Sequence, residues 1–341
     1  MERKLASVQR IREIKPIEGA DAIELAVINS WQVVVAKNVG HKVDDLVVYC
    51  EIDSFLPIRE EFEFLRKSSY KKMGDQEGFR LKTIKLRGEV SQGLIVPIHV
   101  LPLLEMVHEG QDVTEMLGIV KFEPPIPAEL SGKVKGYFPS FIHKTDEERV
   151  QNLTEKYAQW AITSAHKFYA AEKLDGSSAT FYIKDGEFGV CSRNLELAEP
   201  EESESTNTFW KVAAELDLKA KMVSLNRNIC LQGELIGEGI QGNPYKLKGQ
   251  TVRFFNAFDI DKQEKMHIGH LATICYDLKL QTVPIFENFV LPLTPEELVK
   301  MADGKSMLHK DTDREGLVIR SLDNTISFKA ISNKFLLKHE Q

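Results

Sequence analysis

Within seven residues, Glu172-Lys173-Leu174-Asp175-Gly176-Ser177-Ser178 gather an amine, two carboxylates and two hydroxyls. A lysine amine attacks carbon or phosphorus only when unprotonated, and a free lysine keeps its proton up to a pKa of about 10.4. Desolvation, or nearby positive charge from a metal ion or another lysine, favours the neutral amine. The chemistry therefore needs partners from elsewhere in the chain, and a scaffold to bring them. Phe168 to Leu174 and Ala179 to Ile183 alternate apolar residues as strands do, with the Asp175-Gly176 turn between them. That pattern predicts Lys173 at the mouth of a hairpin or at a sheet edge.

Further chemistry-bearing blocks follow in order: Ser192-Arg193-Asn194, Gly233-Glu234-Leu235-Ile236-Gly237, Phe254-Phe255-Asn256-Ala257-Phe258-Asp259-Ile260, Arg314-Glu315-Gly316-Leu317-Val318-Ile319-Arg320 and Ser327-Phe328-Lys329-Ala330-Ile331-Ser332-Asn333-Lys334-Phe335. Joined to Lys-x-Asp-Gly, this series resembles the catalytic domain of ATP-dependent polynucleotide ligases, over roughly residues 140 to 341. These belong to the covalent nucleotidyltransferases, with DNA ligases, RNA ligases and mRNA capping enzymes. The resemblance implies that Lys173 attacks the α-phosphorus of ATP and carries AMP as a phosphoramidate. It implies that Lys329 contacts the α-phosphate, and that Asp175, Glu234 and Glu315 hold Mg²⁺ or Mn²⁺ through water, since Mg²⁺ dehydrates reluctantly. Arg193 and Glu234 would reach the ribose, and Phe258 would stack on adenine. Glu172, Leu174, Asn194, Val318 and Lys334 complete the implied nucleotide pocket. One position departs from the family pattern: Ile331 stands where many relatives carry the second lysine of a Lys-x-Lys pair, and Lys334 is the candidate substitute.

Domain order narrows the family. DNA ligases and capping enzymes carry an OB domain after the catalytic domain, but here only 12 residues follow Lys329. In the first hundred residues, short alternating runs (Ala6 to Ile14, Ile23 to Ala26, Trp31 to Ala36, Leu46 to Ile52, Phe79 to Leu86, Gly93 to Pro97) are punctuated by Gly, Asp, Asn and Pro. They predict an OB-fold β-barrel. The order resembles an RNA ligase family with its OB domain first, which seals 3′-OH/5′-phosphate nicks in RNA-containing duplexes or RNA ends. The expected fold is α+β: residues 1–105 an OB-like barrel, 106–144 a connector, and 145–341 an adenylyltransferase domain of antiparallel sheets with flanking helices. Alternatives are a DNA ligase, a GTP-dependent guanylyltransferase, or a catalytically idle nucleic-acid-binding protein on this scaffold.

Composition is compatible with that reading. The net charge of -7 argues against a nonspecific nucleic-acid coat. Charge is nonetheless uneven, because Arg66, Lys67, Lys71, Lys72, Arg80, Lys82, Lys85 and Arg87 face only Asp75 and Glu77, with Tyr70 and Phe79 interleaved. This window is the candidate RNA-contacting surface, on a domain expected to be separable from lysine adenylylation. Cys50, Cys191, Cys230 and Cys275 are in no metal-ligand spacing. A monomer in the cytoplasm or nucleus is expected, without signal peptide or membrane segment. Thr145-Asp146-Glu147-Glu148 has the capping-box pattern, and Val150, Leu153, Tyr157, Trp160 and Ala161 recur at helical spacing. Glu123-Pro124-Pro125-Ile126-Pro127 reads as irregular chain, and the acidic stretch Glu196 to Thr206 as a surface loop. Gly237-Glu238-Gly239-Ile240-Gln241-Gly242 fits a dinucleotide fingerprint, but Asn243-Pro244 follows where a helix should. His267-Ile268-Gly269-His270 spells one synthetase signature without a Rossmann unit ahead of it, and reads as the start of an amphipathic helix.

Overall fold

The computed structural model describes residues 4–101, 107–123, 134–163, 167–201 and 207–339. The prolines 124, 125 and 127 lie outside them. Alternating apolar residues build the N-terminal barrel as expected. A five-stranded sheet runs in the order Leu94–Pro97, Leu46–Cys50, Ala6–Pro16, Ile23–Ile28, Trp31–Ala36. The run Phe79 to Leu86 is not one strand. Gln76–Arg80 pairs with Ser54–Pro57 and Tyr70–Met73, while Thr83–Leu86 forms a separate ribbon with Glu89–Gln92.

The segment expected to be a connector carries structure. Val113, Leu117 and Ile119 are buried in the barrel's core, and Val120–Lys121 pairs with Phe55 and Ser54. Val134–Tyr137 adds an edge strand to the catalytic domain by pairing with Leu195–Leu197. The acidic stretch is thus partly sheet, and Glu196 receives Lys135 Nζ and Tyr182 Oη; residues 202–206 lie outside the described chain.

Two sheets make the catalytic domain. The larger orders Val134–Tyr137, Leu195–Leu197, Glu187–Cys191, Ser177–Lys184, Ile229–Gly237, Gln250–Asp259, Glu264–Lys265. The smaller orders Glu148–Arg149, Ser327–Ile331, Gly316–Ser321, Phe168–Lys173, Ile285–Phe286. The strands on either side of Asp175-Gly176 are therefore no hairpin: the turn carries the chain from one sheet to the other. The hairpin comes next, at Asp185-Gly186, where both residues take the left-handed φ that a two-residue turn requires. The helix after residue 150 starts later than its spacing suggests. Glu148–Arg149 is a strand parallel to Phe328–Lys329, a short 3₁₀ turn follows, and the α-helix spans Thr154–Ile162. Thr145 and Glu148 hence cap no helix. Its aromatic stripe is core: Trp160 stacks on Phe328 at 5.6 Å. His267 caps the helix Ile268–Asp277, accepting from Gly269 N–H, so the synthetase-like tetrapeptide is a helix start.

The two domains share a core. Ile331 and Leu336, from the last strand and helix, are buried with Ile11, Trp31, Tyr49 and Ile95 of the barrel. Polar ties rim it: Trp31 Nε1 donates to Asn152 Oδ1 at 2.5 Å, Arg149 Nη2 to Asp53 Oδ2 at 2.9 Å, and Gln92 Nε2 to Asn333 Oδ1 at 3.2 Å. Cutting this seam would expose apolar surface on both sides.

Candidate active site

Strand register selects the face on which the site forms. Directly paired residues share a face, so Ala171 and Lys173 lie with Val318, Gly316 and Lys329. Close approach of the strands is enforced at Gly316, where a Cβ would fall 2.3 Å from the Ala330 carbonyl oxygen. On the facing sheet Glu234 pairs with Ser178, just beyond the turn. Gly176 presses against that strand: a Cβ there would meet Leu235 O at 2.4 Å and Glu234 Cγ at 2.8 Å. The turn thus brings Lys173, Asp175, Glu234 and Glu315 together between the two sheets.

Electrostatics confirms their closeness. Lys173 Nζ donates to Glu315 Oε1 at 2.5 Å. Burial alone would lower the Lys173 pKa, but Glu315, Glu234 and Asp175 outweigh it and hold the ammonium above its ordinary value. Burial, with Glu315 adding to it, pushes Asp175 up to about 7. Burial pushes Glu234 up to about 8, against the pull of Lys173 and with Glu315 and Asp175 adding to it. Crowded acids that ionise reluctantly are a donor set suited to a hard divalent cation. Among the described residues no three His, Cys, Asp or Glu side chains form a ready-made metal cage.

A second cluster lies beside the first. Lys329 Nζ donates to Asp146 Oδ1 at 3.0 Å, Lys121 Nζ to Asp146 Oδ2 at 2.7 Å, and Arg193 Nη2 is 3.6 Å from the same oxygen. Burial would raise the Asp146 pKa, but Lys329 and Lys121 hold it well below the usual carboxylate range. Three cations around one carboxylate make a place where a phosphate could sit. Asp146 enters the sequence reading only within a capping-box pattern, and Lys121 only within the segment expected to be a connector, so neither stands out there as a site residue.

Other expected site residues are placed differently. Glu172 alternates to the opposite face from Lys173, where it is buried and Oε2 accepts Met307 N–H at 2.7 Å. Leu174 packs into the core with Ile236 and Tyr245. Phe258 lies on the Glu234 face but is 2% exposed, with the His143 ring 5.3 Å away, so its ring is covered. Asn194 bonds Lys144 and Glu123. Val318 sits half-buried on the Lys173 face. Ile331 is buried in the interdomain core, and Lys334 is exposed on the last helix, near enough to Asp313 to help lower its pKa. Arg320 is an unanticipated tie between the sheets, donating to Phe255 O at 2.7 Å and Glu147 Oε1 at 2.8 Å. In the basic window, Phe79 is core rather than a stacking platform, and Arg66 and Lys72 are paired with Glu63 and Glu77.

Comparison with known proteins agrees with this geometry. Residues 5–98 match a family model described as an OB-fold domain, and residues 166–338 match the RNA ligase model. No curated protein sequence matches the chain significantly. Among solved structures, an RNA ligase of Naegleria gruberi in a ligand-free mutant form is 44% identical, with a TM-score of 0.92 over 99% of this chain and 98% of that one. Mutant forms of the same ligase with ATP and Mn, and with AMP and Mn, give the same identity and TM-score over 99% of both chains. With the RNA ligase model matching half of the chain and 44% identity to a solved RNA ligase over nearly its whole length, the chain belongs to the RNA ligase family.

Proposed function

We propose that this RNA ligase joins a 3′-OH to a 5′-phosphate using ATP, by way of a lysyl-AMP intermediate on Lys173. The observation that carries the assignment is the meeting of Lys173 with Glu315, Glu234 and Asp175 between the two sheets. In the first step the Lys173 amine attacks the α-phosphorus of ATP, a P–N bond forms, and the bond to the β-phosphate oxygen breaks to release pyrophosphate. AMP then passes to the RNA 5′-phosphate, freeing the amine. The 3′-OH attacks that activated phosphate and AMP leaves. Lys329, with Arg193 and Lys121 around the same point, meets charge that accumulates on phosphate oxygens during transfer.

Asp175, Glu234 and Glu315 are the groups that would hold a divalent cation, Mg²⁺ or Mn²⁺. A cation bound there would supply positive charge next to the amine and the phosphate oxygens. The protein's own part is positional: the two sheets and the Gly176 turn fix the amine next to these acids before substrate arrives. RNA is the proposed polymer, with the barrel's exposed basic ribbon as its second contact.

Incubation with α-labelled ATP or GTP, followed by denaturing electrophoresis, tests the assignment. Label from ATP should stay on the protein in an acid-labile, base-stable bond, and Lys173→Ala should remove it. Equal labelling of that variant, or labelling by GTP alone, would falsify the lysyl-AMP reading.

A further inference from the structure

The glycine-rich stretch that fails as a dinucleotide fingerprint leads into a loop that grips the lysine turn. Tyr245 Oη accepts the Asp175 backbone N–H at 2.7 Å, and Gln241 Nε2 donates to the Gly176 carbonyl at 3.3 Å. Successive backbone groups of the Asp175-Gly176 turn are thus held by two side chains of one loop. We propose that the loop 241–247 is a positioning clamp, in which Tyr245 and Gln241 set the Asp175-Gly176 turn and so aim the Asp175 carboxylate and the Lys173 amine.

The loop is itself held rigid. Gln241, Gly242, Asn243 and Lys246 have φ of 47°, 70°, 49° and 51°, a run of left-handed residues that persists only where the surroundings over-determine it. Asn243 closes the loop, its Nδ2 donating to Leu247 O at 2.9 Å and its Oδ1 accepting Leu247 N–H at 3.0 Å. Thr312 Oγ1 donates to Pro244 O at 2.5 Å, joining the loop to the segment before Glu315. The Tyr245 ring is 2% exposed, packed with Ala171, Leu174, Ile236 and Val283. A cleft of about 320 Å³ opens between this loop, Asp175 and residues 311–313.

The clamp serves the reaction proposed above, but its direct readout needs neither ATP nor metal. Hydrogen–deuterium exchange of the full-length protein should show residues 174–178 exchanging about tenfold faster in Tyr245→Phe, which keeps the ring and loses the acceptor. Residues 229–233, the first half of the strand Ile229–Gly237, should be unchanged. Gln241→Ala should give a smaller change in the same place, and it decides the matter if Tyr245→Phe does not fold. In lysyl-AMP formation Tyr245→Phe should lower the rate constant about tenfold with KM for ATP within about twofold, since the residue positions and does not touch nucleotide. Unchanged exchange at 174–178 in both variants, or faster exchange everywhere alike, overturns the clamp. A wild-type protein that takes no label from ATP overturns the reaction while the exchange data still judge the clamp.

Discussion

Lys173 Nζ lies 2.5 Å from Glu315 Oε1, which pairs the nucleophile with one of the acids expected to hold the metal. The pair favours the protonated amine, so the proposed attack requires that proton to leave. Glu315, Glu234 and Asp175 hold the Lys173 pKa above its ordinary value despite burial. Only the neutral amine attacks, so lysyl-AMP formation at limiting Mn²⁺ should rise about tenfold per pH unit between pH 6 and 8. Added Mn²⁺ should move the inflection to lower pH by drawing charge from Glu315. Glu315→Gln should shift it to lower pH without metal, yet run on the order of 100-fold slower in saturating Mn²⁺. A flat pH profile, followed by labelled-AMP transfer, would remove the protonated pair from the mechanism.

Glu234 and Asp175 predict a link between pH, metal and stability. Their folded pKa values, about 8 and about 7, exceed those of an unfolded chain. For raised acids the folded state binds protons more tightly. Their favourable contribution is complete below pH 4 and is lost as pH climbs from there through 8. A divalent cation replaces those protons, so the rise in Tm on adding Mn²⁺ should be larger at pH 8 than at pH 6. Glu234→Gln should raise the metal-free Tm at pH 8 and shrink the Mn²⁺ effect. Equal Mn²⁺ shifts at both pH values count against the acids as the metal's donors.

Much of this site was legible because chemistry fixes residue types at element ends. The strands Gly316–Ser321 and Ile229–Gly237 fall where their apolar alternation places them. Glu315 and Glu234 then arrive with their strands, and the family resemblance assembles them around Lys173. What alternation cannot reveal is the sheet to which a strand belongs. Phe168–Lys173 and Ser177–Lys184 read as one hairpin yet lie in different sheets, because local pattern carries no long-range pairing. Phe79 is a related case: it sits among lysines and arginines, and only the tertiary fold shows that it faces a core. Asp146 falls only in a pattern that suggests a helix cap, and the three cations that reach it come from distant parts of the chain.

Asp146 should compete with nucleotide. It holds Lys329, Lys121 and Arg193 in the ligand-free protein, and its depressed pKa keeps it charged throughout the neutral range. Asp146→Asn should release these cations and lower KM for ATP in lysyl-AMP formation about three- to tenfold. Lys329→Ala should slow the same step by about 10- to 100-fold. Steady-state labelling over an ATP series distinguishes the two. A higher KM for Asp146→Asn would make the aspartate part of the nucleotide site instead of its rival.

The buried place of Ile331 has a consequence for the barrel. Packed at 3% exposure against barrel residues, it cannot serve phosphate, and a lysine there would need to enter an apolar core. Ile331→Ala should cost about 2–5 kcal/mol in denaturant unfolding, and Ile331→Lys should destabilise at least as much through its unpaired ammonium. Deleting residues 1–120 should strip the same core and reduce lysyl-AMP formation as well as sealing, since Lys329 stands two residues from Ile331. A soluble truncated protein with full adenylylation would show that the seam is dispensable.

The ribbon Thr83–Leu86 with Glu89–Gln92 carries the cations best placed for polymer contact. Lys85 and Arg87 are exposed on it, and Arg87 and Gly88 form its turn at φ of 49° and 92°. Neither residue touches the lysine centre, and ATP-only chemistry has no need of them. Lys85→Glu with Arg87→Glu should therefore leave lysyl-AMP formation within about twofold while sealing of a nicked RNA-containing duplex falls about tenfold at physiological salt. Each lost phosphate contact removes about 0.9 from the slope of log affinity against log salt, so binding of the duplex should lose a slope of about 2. Lys67→Glu with Lys71→Glu, at exposed positions before and within Tyr70–Met73, maps how far the contact extends. Sealing by the Lys85/Arg87 variant at the wild-type rate, with an unchanged salt slope, would place the RNA on another face of the barrel.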